Sequence, residues 1–418
     1  MLTRVIVITI IFLFIDLYTY KGLHTLAQDW EPITRKVLFY GHWMVFVLFI
    51  LGSLYISLNI SSQSQNTNYK PFFYLFGIMV LIYVPKFVFI SFELIDDLIY
   101  LGKWAYSKVG SSSSTENTGE QISRLQFIYQ TGAVVAAIPF ASIAYGLIQG
   151  RFDFTVRKQT LSFTDLPKSF DGLKVVQLSD AHLGSFFENF ERVEEGIQKV
   201  NDLNPDVILF TGDLVNNYAS EAEPWIPAFK KLKAKYGKFS VLGNHDYGSY
   251  GKYASEQEAQ ANHQRLHEIH EEMGFRLLLN ENEKITINNE SITILGVENW
   301  GVPPFPQKGD VQVAKSNNTS AKDFQILMSH DPSHWDSVIK KEHPDVNITL
   351  SGHTHGMQFG VELGNIKWSP VKYKYPKWAG LYQEKDQYLY VNRGFGYIGF
   401  PGRVGIKPEV TLLELHSA

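Results

Sequence analysis

Four long apolar stretches fill most of the first 150 residues, at 3–20, 37–58, 72–95 and 125–148. Crossing a bilayer takes about 20 predominantly apolar residues, so each stretch is long enough to span one as a helix. Trp, Tyr and Phe stand near several of their ends, where amphipathic rings favour the membrane–water interface. The first stretch, apolar over 5–15 except at Thr9, has no small-residue cleavage site after it, and three more stretches follow. It therefore reads as an anchor rather than a signal peptide. A four-helix membrane region over 1–150 and a second domain over 151–418 are expected; burial of the four stretches inside a soluble domain is the alternative. The chain would be a multi-pass protein of the plasma or inner membrane. Lys and Arg flanking four spans divide five against six between the two faces, which leaves the side of the second domain open.

The two parts differ in charge. Residues 1–150 hold nine Lys/Arg and eight Asp/Glu, whereas 151–418 hold 29 and 34, a formal charge of −5. Phosphate backbones demand clustered positive charge, so nucleic acid is not an expected partner. The absence of cysteine excludes disulfides, thiolate metal sites and cysteine nucleophiles, without fixing the compartment. In the third stretch Pro85-Lys86 sets a helix breaker and a cation near mid-membrane. Such a charge needs a partner, with Asp16 and Glu93 as candidates, or else snorkels or lines a packed polar contact. Residues 109–122, with four consecutive serines, read as a flexible extramembrane loop.

From about residue 151, short β-branched runs alternate with segments of helical period. Strands are expected at 173–178, 207–210, 239–242, 292–297, 324–328 and 348–350, and helices at 188–202, 222–235 and 254–273. This alternation predicts an α/β domain, sheet with helices on its faces. Five polar motifs end five of the runs: Asp180-Ala181-His182, Gly212-Asp213, Gly243-Asn244-His245-Asp246, Ser329-His330 and Gly352-His353-Thr354-His355. Ligands in open α/β sheets gather beyond the carboxyl ends of strands, and every motif has that position. The glycines would let the chain turn there. The segment 300–322, rich in Pro, Gly and Asn, would line or cover a cleft.

Singly, a Gly-Asp or a Ser-His is an ordinary turn. As an ordered set, and leaving Asp246 aside, the motifs supply two Asp, one Asn, four His and a fifth His beside the Asn. Alternate residues on extended chain point the same way, so Asp-x-His and His-x-His can each grip one metal. The inventory suits two divalent cations sharing a bridging carboxylate, about 3.5–4 Å apart, clamping the attacking and leaving oxygens of a phosphoryl displacement. Mixed imidazole and carboxylate ligands suit Mn, Fe or Zn, with Mn favoured, whereas Ca or Mg prefers nearly all-oxygen sites. His245 follows Asn244 directly, faces another direction, and reads as catalytic rather than ligating.

In order and spacing, the five motifs resemble the signature of calcineurin-like metallophosphoesterases across roughly 155–415. Gly380-Leu381-Tyr382, the run from Val391 to Gly396 and Lys407-Pro408-Glu409-Val410 are similar to a bacterial membrane-associated branch related to UDP-2,3-diacylglucosamine hydrolases. The resemblance implies a β-sandwich flanked by helices rather than one doubly wound sheet. It also implies that Asp180, His182, Asp213 and His355 hold one metal. Asp213 would bridge to a second metal completed by Asn244, His330 and His353. A hydroxide between the cations would attack phosphorus, His245 would act near the leaving oxygen, and Asp246 would orient its imidazole. The family commonly has Asp-Leu-His or Asp-Thr-His where this chain has Asp-Ala-His, but Ala181 supplies no ligand.

His263, His267 and His270, at helical spacings, are read as solvent-facing, and His42 as interfacial. Arg393 and Arg403 are open between substrate contact and structural salt bridge. The leading expectation is a membrane-anchored two-metal phosphoesterase acting on a phosphomonoester or phosphodiester, lipid-linked or nucleotide-linked, with membrane lipids as partners. A transporter or sensor with a regulatory phosphoesterase domain is the alternative, and a metal-binding scaffold without turnover the third reading.

Overall fold

The computed structural model describes residues 2–59, 69–109, 118–315, 323–364 and 366–418. It divides into two compact units, one running to Tyr145 and the other from Gly146 to Ala418.

The first unit consists of helices α1 (Leu2–Leu26), α2 (Pro32–Asn59), α3 (Lys70–Val109) and α4 (Thr118–Ile148). All four are long and apolar enough to cross a membrane, and the chain is a multi-pass membrane protein. The spans outrun the apolar stretches at several ends. At 40 residues α3 is about 60 Å long, roughly twice the hydrocarbon thickness, because Leu98, Ile99, Leu101 and Trp104 prolong the apolar pattern past Asp96 and Asp97. Of the loop expected over 109–122, residues 110–117 lie outside the described residues, and the chain is already helical from Thr118.

Inside this unit the structure selects Asp16 as the partner of Lys86, whose ammonium donates to the Asp16 carboxylate. Tyr83 Oη donates to the other Asp16 oxygen at 2.8 Å, and His42 Nε2 lies 3.2 Å from the carboxylate. Three helices thus meet on one fully buried aspartate, the arrangement that membrane-embedded charges require. His42 belongs to this cluster rather than to the interface, a correction to the sequence reading.

The second unit is a sandwich of two six-stranded sheets. Its strands begin with β1 (Thr155–Phe163), β2 (Leu173–Leu178), β3 (Val207–Phe210), β4 (Lys238–Ser240), β5 (Arg276–Leu277), β6 (Glu281–Ile287) and β7 (Glu290–Gly296). They continue with β8 (Phe324–Met328), β9 (Ile348–Ser351), β10 (Val361–Leu363), β11 (Ile366–Trp368), β12 (Gly380–Glu384), β13 (Gln387–Val391) and β14 (Glu409–Ser417). One sheet has the order β1-β14-β2-β3-β4-β5 and the other β12-β13-β9-β8-β7-β6, while β10 and β11 form a separate hairpin. β2, β3 and β4 run parallel, as do β7, β8 and β9.

Continuous apolar runs such as Val207-Ile208-Leu209-Phe210 arise because both faces of each sheet are buried. Val175, Val207 and Leu209 point inward against Ile294, Ile326, Ile348 and Leu350 of the facing sheet. Val176, Leu178, Ile208 and Phe210 point outward onto helix α5 (Phe190–Asp202), where Val193, Ile197 and Val200 form its buried apolar face. The outer face of the second sheet packs on Val311, Trp335 and Ile339. The helix expected over 222–235 is instead one 3-10 turn, Glu223–Trp225, and a single helical turn, α6 (Ile226–Phe229). Pro224 and Pro227 remove the amide donors a longer helix needs. The helix expected over 254–273 forms as α7 (Glu256–Glu272), with Ser255 Oγ accepting from the Glu258 amide at its start.

Candidate metal centre

The five motifs leave the carboxyl ends of β2, β3 and β4 in one sheet and of β8 and β9 in the other. Since the sheets face each other, five separate strand ends converge on one place. The backbone there is unusual: Asp180, His182, Asp213, His353 and His355 all have positive φ, between 44° and 70°. Non-glycine residues persist in that region only where their surroundings enforce it, which is characteristic of functional sites. The glycines serve chiefly by leaving room. A Cβ on Gly243 would lie 2.2 Å from Asp213 Oδ1, and one on Gly352 would lie 2.1 Å from Asp180 Oδ2.

Two donor groups result. Asp180, His182 and His355 form one, and Asp213, His330 and His353 the other, with the ligand atoms of each group within 4.8 Å of one another. His355 Nε2 is 3.2 Å from Asp180 Oδ1 and 3.0 Å from His182 Nε2. Asp213 Oδ2 lies 3.1 Å from His330 Nε2 and 3.6 Å from His182 Nε2, between the two groups. Asn244 Oδ1 is 2.8 Å from His353 Nδ1, which in turn is 3.3 Å from His330 Nε2. Lone pairs and carboxylates this close, and this buried, repel unless a cation or a shared proton satisfies them, and converging imidazole, carboxylate and amide oxygen donors are metal ligands by type. The donor set therefore fits divalent metal.

A second layer orients these side chains. His330 Nδ1 faces the Thr211 carbonyl at 2.8 Å and His182 Nδ1 the Val215 carbonyl at 3.2 Å, which turns each Nε2 toward the centre. His245 sits at the edge, its ring 5.0 Å from that of His182, with Nδ1 2.8 Å from the Asn216 carbonyl. Asp246 does not reach that imidazole, contrary to the role implied for it. Its carboxylate accepts from the backbone amides of Asp213, Leu214 and Gly243 at 2.7 to 2.9 Å, fixing the loop that carries Asp213. Burial and the neighbouring Asp213 carboxylate push Asp246 up to about 7. Glu221, driven to about 7 by burial, similarly accepts from the amides of Asn216, Asn217 and Tyr218.

Several contacts have no counterpart in the sequence reading. Tyr375 Oη is 2.8 Å from His353 Nε2, and Asn244 Nδ2 donates to Tyr250 Oη at 3.1 Å. Asp331, 3.5 Å from His353 Nε2, follows Ser329-His330 directly, so adjacency could have flagged it. Tyr375 and Tyr250 sit in loops with no such cue. Arg393 and Arg403, 3% and 2% exposed, point into the protein. Arg393 pairs with Glu409 and Glu362, and Arg403 donates to the Arg393 and Gly396 carbonyls. His270 is fully buried beside Phe210 and Phe275 rather than facing solvent as expected, while His263, half-buried, stacks at 5.5 Å on Tyr247.

Comparison with known proteins agrees with this geometry. Residues 3–151 match the family model described as a probable calcineurin-like phosphoesterase transmembrane domain, and residues 173–357 match that of calcineurin-like phosphoesterases. The chain is 32% identical over 305 residues to the uncharacterized metallophosphoesterase YkuE of Bacillus subtilis, covering 71% of this chain and 99% of that one. A transmembrane protein with metallophosphoesterase domain from Danio rerio is 28% identical over 321 residues, 75% and 68% of the two chains. An uncharacterized metallophosphoesterase of Campylobacter jejuni is 25% identical over 421 residues, 98% and 97% of the two, membrane helices and sandwich together.

Proposed function

We propose a reaction and a substrate class from one premise: this chain belongs to the calcineurin-like metallophosphoesterases and carries a family transmembrane domain at its N-terminus. It is a metal-dependent phosphoester hydrolase of a membrane. The reading advanced here is that it uses two divalent cations, Mn before Fe or Zn, to cleave a phosphomonoester or phosphodiester on a lipid-linked or nucleotide-linked amphiphile.

The observation that carries it is the position of Asp213 Oδ2 between the two donor groups. Asp180, His182 and His355 would hold one cation, Asn244, His330 and His353 the other, and Asp213 both. When bound, such a pair would supply Lewis acidity to the phosphoester oxygens. His245 contributes separately. With its Nδ1–H held by the Asn216 carbonyl, Nε2 is the nitrogen left to carry a second proton. As an imidazolium it can give that proton to the leaving oxygen, or hold charge on the phosphoryl oxygens. His245→Asn is expected to retain bound metal and lose about 100-fold in kcat, the usual worth of one positioned acid. Metal content measured beside turnover checks this, and concurrent loss of metal would assign His245 to the ligand set instead.

The membrane region supports the amphiphilic substrate, because anchoring concentrates an enzyme where lipid-linked phosphates are found. The test compares kcat/KM for candidate lipid-linked phosphates in mixed micelles with the same headgroups lacking acyl chains. Higher values for the acylated forms are expected. Equal or lower values across the series would overturn the substrate class while leaving the hydrolase intact.

A further inference from the structure

The β10–β11 hairpin is built inside out for a protein in water. Its register pairs Val361 with Trp368, Glu362 with Lys367, and Leu363 with Ile366. Side chains alternate across a strand, so the four apolar residues share one face and the charged pair the other. Water-facing hairpins turn their polar face outward. Here the charged face is the one the domain engages: Glu362 Oε1 accepts from Arg393 Nε at 2.9 Å, and Lys367, itself still exposed, donates to the Ala379 carbonyl over the Trp378 ring. The apolar face is left open, with Leu363 72%, Ile366 62%, Val361 48% and Trp368 39% exposed.

We propose that this hairpin is a membrane-surface contact, setting its apolar face into the headgroup layer of the bilayer in which the chain is anchored. Three observations select a lipid surface over other occupants. Tyr373, 77% exposed, and the exposed Lys372 and Lys374 follow the hairpin, and neither lysine is paired with a carboxylate among the described residues. Apolar residues with Trp, Tyr and lysine at the rim are the composition that binds anionic interfaces. The chain also brings its own bilayer: α4 ends at Ile148 and β1 begins at Thr155, so only a short tether separates them. Finally, the segment is rooted at the metal centre. Ser369 Oγ donates to the Gly356 carbonyl and Thr354 Oγ1 to the Trp378 carbonyl, each at 2.7 Å, and Tyr375 meets His353. The loop carrying His353 and His355 therefore continues directly into the lipid contact, which would present lipid-borne phosphate to the metal centre.

The absence of cysteine permits a clean test on the full chain. Leu363→Cys, Ile366→Cys and, as a control on the exposed side of α5, Glu195→Cys would each carry one environment-sensitive nitrobenzoxadiazole label. The labelled proteins are placed in nanodiscs of phosphatidylcholine with phosphatidylglycerol. Labels at 363 and 366 should emit at shorter wavelength, be quenched by lipids bearing a nitroxide near the headgroup, and be severalfold less accessible to iodide than the label at 195. Iodide access equal to that at 195 would overturn the proposal. Protection that follows protein concentration and ignores nitroxide lipid would overturn it too, in favour of a second copy of the chain. Neither readout depends on turnover, so the result stands whatever the substrate proves to be.

Discussion

Asp213→Asn should lower turnover of bis-p-nitrophenyl phosphate by at least about 10³-fold, since it removes charge from the one oxygen placed to serve two cations. Asparagine is chosen over alanine for a structural reason. Asp213 Oδ1 accepts the His245 amide at 2.9 Å, and an amide oxygen can keep that bond while the other position changes from anion to neutral donor. The loop itself is held by Asp246 on the backbone amides, not by the Asp213 side chain. The fold should therefore survive, and the loss should appear as metal per chain and kcat rather than as a large fall in Tm. Treating the parent with a chelator should abolish turnover, and added Mn should restore it; the variant should not respond. Near-parent activity with two metals bound to the variant would mean that Asp213 is not shared, and the two-cation reading would fail with it.

The donor residues were legible from sequence for a chemical reason. Few residue types ligate metal, and placing them where a strand ends leaves a fixed imprint: a hydrophobic run followed by Asp, Asn or His. What supports the donors left no imprint. The Asn216 carbonyl that holds His245, and the Thr211 and Val215 carbonyls that hold His330 and His182, are backbone atoms any residue could supply. Tyr375 reaches His353 from a loop 22 residues downstream, a distance no local pattern encodes. Asp246 shows the converse error. The resemblance implied a partnership with His245, yet adjacent side chains diverge, and its carboxylate accepts from the amides of Asp213, Leu214 and Gly243.

Elements followed the same division. Strands with both faces buried announced themselves as apolar runs, and α5 by its period. The 222–235 segment has suitable spacing but two prolines, and local backbone chemistry prevailed over periodicity. His270 was misread because an imidazole scores as polar, whereas a neutral ring can fill a core position; burial lowers it to about 3. The β10–β11 hairpin could not be read at all: nothing in its alternation says which face the domain will cover.

Arg393 offers the sharpest contrast between the two readings, because the sequence left it open between substrate contact and salt bridge. In the structure Arg393 Nη1 donates to Glu409 Oε2 at 2.6 Å, and Glu409 is fully buried. Glu409 also accepts from Tyr390 Oη at 2.7 Å and Thr411 Oγ1 at 2.6 Å. Burial acts to raise the Glu409 carboxyl, but Arg393 and Arg157 outweigh it and hold it below the usual range. Arg393→Met should therefore destabilise the chain by about 3–5 kcal/mol near neutral pH, the cost of stranding a buried charge. The sign of the pH dependence follows from the shift. A depressed carboxyl contributes stability above its unfolded value, about 4.3, and loses it as pH falls through the folded value. Without Arg393, burial is opposed chiefly by Arg157, whose Nε lies 3.6 Å from Glu409 Oε2, so the folded carboxyl rises and the Glu409 charge costs more stability above that folded value than below it. The stability gap between parent and variant should thus be widest at pH 7 and shrink toward pH 4. Urea unfolding of the full chain in detergent, followed by near-ultraviolet circular dichroism with a chelator present at both pH values, measures that gap. An unchanged unfolding midpoint combined with a higher KM would return Arg393 to the substrate.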